Sequence, residues 1–407
     1  MCSKRKERPE VKNEYSVCVI GGCGHVGLPL AAAFASKNID TVVYDINRRS
    51  VEMVERGEPP FKEEGLEPLL KKVLNRSLFI SSDPMVIGRS KYVIVVIGTP
   101  VDEFLNPKVN DIFVFLKQYV KYFRKGQYLI LRSTLYPGTT QKVNEYLKRK
   151  KLPMKVSFCP ERIAEGKALE EIFDLPQIIS AFDRGTETEM KKLFGRITRD
   201  VVTVSPMEAE TAKLFTNVWR YIQFAIPNQF LIVALKSGLD FYKIFNAIKF
   251  KYPRAKGFYG PGFAAGPCLF KDTMQLAAFN NNDFMLGHSA MLVNEGLPKQ
   301  LVDHLKSRYG LSKLTVGVLG MAFKADSDDP RSSLSYKLKK ILELECSQVL
   351  CSDIYLKDPS FVPAAKLAKD CDIVVVAAPH SEYRKLRFGK RTKVLDIWNF
   401  YGKGMEF

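Results

Sequence analysis

The sequence predicts an α/β protein in which two Rossmann-like, doubly wound parallel-sheet domains are joined by a long central helix. Three observations carry this prediction. Short β-rich runs alternate with helical patterns between residues 15 and 180, one helical pattern occupies 206–238, and the strand–helix rhythm returns after residue 314. Repeated strand–helix–strand units of this kind build parallel sheets covered by helices.

In chain order, the first block reads YSVCVIGG, a helix through Leu30 to Ser36, DTVVYD, KYVIVVIGTP, QYLILRST and KVSFCPER. The middle is PMEAETAKLFTNVWRYIQFAIPNQFLIVALKSG, an amphipathic helix expected to be interrupted or kinked near Pro227. The last block is LTVGVLG (314–320), QVLCSD (348–353), DIVVVAA (372–378) and KVLDIW (393–398). The expected divisions are a basic flexible tail at 1–14 and domains at 15–205, 206–305 and 306–407. No repeat of solenoid length is present.

With 407 residues, 46% apolar and 26% charged, the chain is long enough for two or three cores and is not disordered in composition. No apolar run reaches the roughly 18 to 20 residues of a membrane span, and the basic amino terminus leads into no apolar signal segment. The expectation is a soluble, cytoplasmic protein without a membrane partner. The net charge of +18 (62 − 44) suggests an anionic partner. Apart from Lys4 to Arg8, however, the cations are scattered between apolar positions, and no nucleic-acid reader motif accompanies them. Nucleic acid is therefore not expected as a partner. The eight cysteines form no C-x-x-C pair and the four histidines no H-E-x-x-H, so neither metal ligation nor a disulfide framework is expected.

Gly22-x-Gly24-x-x-Gly27 follows the strand Val17 to Ile20 and opens a helix. The first glycine permits a tight turn, the second lets backbone approach a pyrophosphate, and the third lets helix pack on strand. Asp45, 21 residues after Gly24, ends the next strand, where a carboxylate accepts hydrogen bonds from a ribose. An ordinary βα turn explains the glycines but not Asp45. The acid favours NAD over NADP, with Arg48 and Arg49 as the opposing signal. Thr99-Pro100 and Ser133-Thr134, the latter followed by YPGTT, stand at the ends of two further strands, on the rim where open sheets bind ligands; turn chemistry accounts for them equally well. Lys213 and Asn217 share one helix face, and Glu208 and Glu210 nearby make a solvated charged face the plain alternative. In GPGFAAGPCLFKD, Cys268 stands near a helix amino terminus, where the partial positive charge and Lys271 favour a thiolate. Asp272 follows one turn later, placed to handle a proton or water beside the sulfur. The alternative is a buried, inert cysteine.

This ordered set resembles the UDP-sugar 6-dehydrogenases, the family of UDP-glucose, UDP-N-acetylglucosamine and UDP-N-acetylmannosamine dehydrogenases. It runs from GGCGHVGLPLA through VYDIN, IGTPVDE, RSTLYPGTT, CPERIAEGKAL, ETAKLFTN, GPGFAAGPCLFKD and GMAFKADSDDPRSS to VVVAAPHSEY. The resemblance implies an amino-terminal NAD domain, a central helical dimerisation and catalytic region, and a carboxy-terminal UDP-binding domain. It places the nucleophile on Cys268, the catalytic lysine and asparagine on Lys213 and Asn217, the catalytic aspartate on Asp272, and water-positioning groups on Thr134 and Glu161. Implied cofactor contacts are Gly22, Gly24, His25, Val26, Gly27, Asp45, Thr99, Pro100, Thr134, Glu165, Lys271 and Arg331. Implied sugar-nucleotide contacts are Glu161, Arg162, Lys213, Asn217, Arg254, Tyr259, Gly262 and Lys324. The arginine at the position of Arg254 reaches a neighbouring subunit's site in this family, which implies a homodimer or a higher homo-oligomer.

Three features depart from or qualify the pattern. Ala264 and Ala265 stand where glycines are common. Arg162 after Glu161, with EGKALEE, favours an N-acetylhexosamine over glucose. The short tail after Trp398 leaves a usual late arginine unplaced. The implied reaction is a four-electron oxidation at C6 through a cysteine thiohemiacetal and thioester, consuming two NAD and no metal. The competing readings are a two-electron 3-hydroxyacid or 6-phosphogluconate-type dehydrogenase, which has no use for Cys268, and a non-catalytic sugar-nucleotide sensor.

Overall fold

The computed structural model describes residues 15–99, 101–102, 108–152 and 154–407. The expected basic tail and Pro100 lie outside the described residues. The chain divides into two compact units between Leu214 and Phe215.

In the first unit, β1 (Tyr15–Ile20), β2 (Thr41–Tyr44), β3 (Leu78–Ser81), β4 (Ser90–Val95), β5 (Tyr128–Leu131) and β6 (Lys155–Phe158) form one sheet in the order β3-β2-β1-β4-β5-β6. All its pairings are parallel. The order reverses at β1 and β4, which opens a crevice at their carboxyl ends. A further parallel pair, β7 (Gln177–Ser180) and β8 (Val201–Val204), is tied to β6 where the Ser180 hydroxyl accepts from Phe158 N and donates to Phe158 O. Helices α1 (Gly27–Ser36), α2 (Arg48–Glu55), α3 (Leu66–Val73), α4 (Asn110–Tyr119), α5 (Thr139–Arg149), α6 (Ala168–Asp174) and α7 (Arg184–Phe194) complete this unit. Val17 and Val19 of β1 enter one core while Cys18 and Ile20 enter another. This two-sided burial is why the strands read as unbroken apolar runs.

Helix α8 (Pro206–Lys236) contains the division point. It begins with a capping box, Ser205 N donating to Glu208 and Glu208 N to the Ser205 hydroxyl. Of the interruption or kink expected near Pro227, the interruption does not occur. The helix runs through the proline for 31 residues, although proline has no N–H to donate. The second unit adds α9 (Phe241–Lys249), α10 (Leu269–Phe279), α11 (Met285–Arg308), α12 (Leu334–Glu345) and α13 (Ala364–Asp370). Its sheet, β9 (Thr315–Leu319), β10 (Gln348–Ser352), β11 (Ile373–Val376) and β12 (Lys393–Leu395), is parallel in the order β10-β9-β11-β12. Ile373 and Val375 pack on one side of it and Val374 and Val376 on the other. The fold is thus α/β with two doubly wound parallel sheets and a long central helix. Among the described residues, no helix is long and apolar enough to cross a membrane.

Candidate active site

The loop after β1 is shaped by glycines that cannot be replaced and one that is bare. Gly21, outside the sequence motif, has φ +72°, and a Cβ there would stand 2.3 Å from the Val96 carbonyl oxygen, so the tight turn falls one residue before Gly22. Gly22 is required by packing instead, its Cβ position lying 2.7 Å from the Val19 carbonyl oxygen. Gly27 meets the Gly22 backbone at 2.6 Å, which is the close helix-on-strand approach expected of it. Gly24 is exposed, with nothing nearer its Cβ position than 3.8 Å.

Helix α1 opens behind Gly24 with no side-chain cap at Val26, so its first N–H groups suit an anion. His25 stacks on Phe61 with ring centroids 4.1 Å apart. Asp45, just after β2, accepts from Cys23 N at 3.0 Å and Asn47 N at 2.9 Å, one donor per oxygen, which leaves each oxygen a further acceptor position for a ribose hydroxyl. A bare glycine, an uncapped helix start and an unsaturated acid fit the pyrophosphate and ribose of NAD. On the same rim, Thr99 Oγ1 donates to Thr134 O at 2.7 Å and Ile97 N to Ser133 Oγ at 2.8 Å. The two strand-end motifs therefore form one ledge.

In the second unit, Cys268 is exposed at the start of α10, again with no side-chain cap. Asp272, one turn later, is completely buried. Asn217 Nδ2 donates to Asp272 Oδ2 at 2.5 Å, and Lys271 Nζ lies 2.9 Å from Oδ1. Lys213, half-buried, precedes Asn217 by one turn of α8.

The loop leading to Cys268 needs its left-handed residue at Gly266, with φ +101° and a Cβ position 2.6 Å from the Phe323 ring. Ala264 and Ala265 have no positive φ, so the two alanines are compatible with this backbone. Gly266 N also reaches Ser332 O at 3.3 Å, which sets the cysteine loop against the rim beyond β9. Lys324 lies on that rim with Nζ 5.7 Å from the Phe323 ring centroid, and the Arg331 guanidinium pairs with Asp329, Nε lying 2.8 and 2.9 Å from the two oxygens. Gly262 is buried, whereas Tyr259 and Arg254 are exposed; Arg254 stacks on Tyr252 and donates to its hydroxyl.

Three family models match in chain order: the NAD-binding domain of the UDP-glucose/GDP-mannose dehydrogenases at 15–198, their central domain at 207–295 and their UDP-binding domain at 317–403. The chain belongs to the UDP-glucose/GDP-mannose dehydrogenase family. It is an NAD-dependent nucleotide-sugar dehydrogenase. Among its relatives, the UDP-N-acetyl-D-mannosamine dehydrogenase of Pyrococcus horikoshii is 26% identical over 398 residues, covering 95% of this chain and 92% of that one. The solved structure of a UDP-D-ManNAc dehydrogenase from the same organism superposes with a TM-score of 0.85 at 26% identity, over 93% of both chains. A UDP-glucose dehydrogenase from Pyrobaculum islandicum gives 0.84 at 25% identity, over 96% and 95%.

The structure of the dehydrogenase also shows what the residue pattern did not. Glu208 is exposed, but Glu210 is only 1% accessible and does not belong to a solvated face. Its carboxylate accepts from Gly138 N at 2.6 Å, Thr140 N at 2.7 Å and Thr140 Oγ1 at 2.6 Å, capping α5 behind the Thr134 ledge. Burial raises its pKa against these donors. Glu161 is buried too: Arg132 pairs with one oxygen through Nε at 2.9 Å and through Nη2, while Arg162 N and Ile163 N donate to the other at 2.6 and 2.9 Å. Four donors fill the acceptor positions of a carboxylate. Arg132, also bonded to Cys159 O and Gln177, was missed; its signal was a cation at the end of an otherwise apolar strand. The Arg162 guanidinium donates to Pro176 O, and Glu165 lies half-buried nearby in the chain. Asp353, just after β10, was missed as well. It takes backbone N–H bonds from Met321, Ala322, Tyr355 and Leu356 and a fifth contact from His380 Nε2 at 3.0 Å, both side chains being fully buried.

Proposed function

We propose that this dehydrogenase oxidises the C6 alcohol of a UDP-sugar by four electrons to the UDP-uronic acid, with Cys268 as nucleophile. The observation that carries the reading is an exposed thiol at an uncapped helix start, one turn from a buried carboxylate held by Asn217. NAD held at the Gly24 loop and Asp45 would accept one hydride per oxidation, two NAD binding in succession. The start of α10 favours the Cys268 thiolate, which adds to the C6 aldehyde: a sulfur electron pair forms the carbon–sulfur bond and the carbonyl π pair moves onto oxygen as an oxyanion. Lys213 donates to that oxyanion, and Asn217 does so with the amide hydrogen that Asp272 does not take. The second oxidation leaves a thioester. Water attacks its carbonyl carbon, the carbon–sulfur bond breaks, and the thiolate departs as the carboxylate forms. Asp272 receives the proton of that water and Thr134 orients it, while Glu161, already saturated, acts by fixing the backbone of 161–163. Lys271, Lys324 and Arg331 supply positive charge to the two pyrophosphates.

A UDP-N-acetylhexosamine is the favoured substrate, on Arg162 following Glu161, the EGKALEE segment and the relatives named for UDP-N-acetylmannosamine. UDP-glucose is the second candidate, supported by the similar match to a UDP-glucose dehydrogenase. The proposal includes a homodimer: Phe215, Trp219, Ile226, Phe230 and Val233 form an exposed apolar stripe along α8, each 42–59% accessible. Incubation with NAD and UDP-ManNAc, UDP-GlcNAc or UDP-glucose tests the reading. Two NADH per uronic acid are expected, and one NADH per product would replace it with a two-electron dehydrogenase.

A further inference from the structure

The loop that ends at Cys268 is held from behind by a chain of buried amides. Asn228 of α8 is completely inaccessible, and its side chain meets both backbone groups of Gly262. Gly262 N donates to Asn228 Oδ1 at 2.9 Å, and Asn228 Nδ2 donates to Gly262 O at 2.9 Å. The other Nδ2 hydrogen goes to Asn294 Oδ1 on α11, also at 2.9 Å. Asn294 is equally inaccessible and is itself fixed by donating to Tyr221 O at 3.0 Å. On another side Gly262 meets Trp398, whose ring carbons stand 2.1–2.5 Å from the Cβ position; the indole N–H is tied to Ala377 O at 3.2 Å.

Helices do not normally spend fully buried amides on a loop unless that loop must hold one shape, because each such group costs desolvation that only complete pairing returns. We propose that Asn228 is a positioning residue for the reaction. By clamping the backbone of Gly262 and being clamped by Asn294, it sets the path of 262–268 and with it the position of the Cys268 thiol. This rests on the reading of Cys268 as nucleophile and adds to it a residue that touches neither substrate nor cofactor.

The test uses the full-length protein with three variants, Asn228→Ala, Asn294→Ala and the double variant. Two readouts are taken: the second-order rate of Cys268 alkylation by iodoacetamide, followed by peptide mass spectrometry, and KM and kcat for NAD and the UDP-sugar. Removing one partner from a fully buried amide pair is expected to change the alkylation rate and kcat/KM for the sugar by about ten-fold. KM for NAD should stay within two-fold, roughly the scatter of a change that leaves those contacts alone. Asn294→Ala should shift the same quantities in the same direction. The double variant should be no worse than Asn228→Ala, because Asn294 acts through Asn228. Unchanged alkylation and sugar kinetics in folded Asn228→Ala overturn the inference, as does a rise in KM for NAD as large as the change in kcat/KM for the sugar. If Asn228→Ala does not fold, the same criteria apply to Asn294→Ala. A wild-type protein that oxidises no UDP-sugar would instead overturn the functional reading, and the alkylation rates would still decide the clamp.

Discussion

Asn217 and Asp272 are 55 residues apart in sequence yet share a 2.5 Å hydrogen bond, with the carboxylate wholly buried beneath the helix start that presents Cys268. The bond leaves Asn217 one further amide hydrogen and fixes the Asp272 carboxyl; in the proposed mechanism that hydrogen would serve an oxyanion and the carboxyl the hydrolytic half. Asp272→Asn should preserve thioester formation while slowing its hydrolysis by about 100-fold or more. The expected signs are a rapid NADH burst followed by a stall, and an added mass on the Cys268 peptide. Steady turnover without a trapped adduct would remove Asp272 from the hydrolytic step.

Cys268→Ser separates the two oxidations. An alkoxide leaves an acyl carbon far less readily than a thiolate, so uronic acid production should fall by at least about 100-fold while aldehyde-level oxidation continues. Product analysis after a single turnover provides the check, and normal uronic acid formation would eliminate sulfur as the nucleophile.

Two glycines of one loop should respond in opposite ways. Gly24→Ala adds a methyl group to open space, so the melting temperature should hold while KM for NAD rises about ten-fold as backbone and pyrophosphate are kept apart. Gly27→Ala drives a methyl group into the Gly22 backbone and should destabilise the first unit by about 1–3 kcal/mol, the usual cost of overpacking. Thermal melts and NAD titrations of the two variants distinguish these outcomes.

The Asp353 carboxyl has its pKa held down at about 2; burial opposes the charge, but His380 and the backbone N–H groups of Tyr355 and Ala322 outweigh it. A lowered acid stabilises the fold above its ordinary pKa and loses that contribution as pH falls towards the folded value. About 2 kcal/mol of stability should therefore disappear between roughly pH 4 and pH 2. Asp353→Asn should flatten this part of the stability–pH curve in denaturant titrations, whatever its effect at neutral pH.

The two sheets were legible because their central strands are buried on both sides and read as unbroken apolar runs. Strands β3, β7 and β8 were not picked out; β3 and β8 are mostly half-exposed, so no two-sided apolar burial marks them. The placement of Cys268 at a helix start was legible from the glycines and proline before it. The bonds of Asn217 to Asp272, of Arg132 to Glu161 and of Asn228 to Gly262 were not, because side-chain pairing between distant segments leaves no periodic trace in sequence. Gly21 escaped for another reason: the motif begins at Gly22, although the residue with positive φ is the one before it.

Asp45 and Asp353 stand at equivalent places, each just beyond the strand beside the first strand of its sheet. They differ in spare valence. Asp45 receives one donor on each oxygen and can accept a ribose diol, whereas the five donors around Asp353 leave it nothing to offer a sugar hydroxyl. A nucleotide at the rim of the second sheet would therefore gain no acceptor from Asp353. An adenosine ribose that depends on an acid would find an open carboxylate at Asp45 and a closed one at Asp353, in a chain that uses one architecture twice.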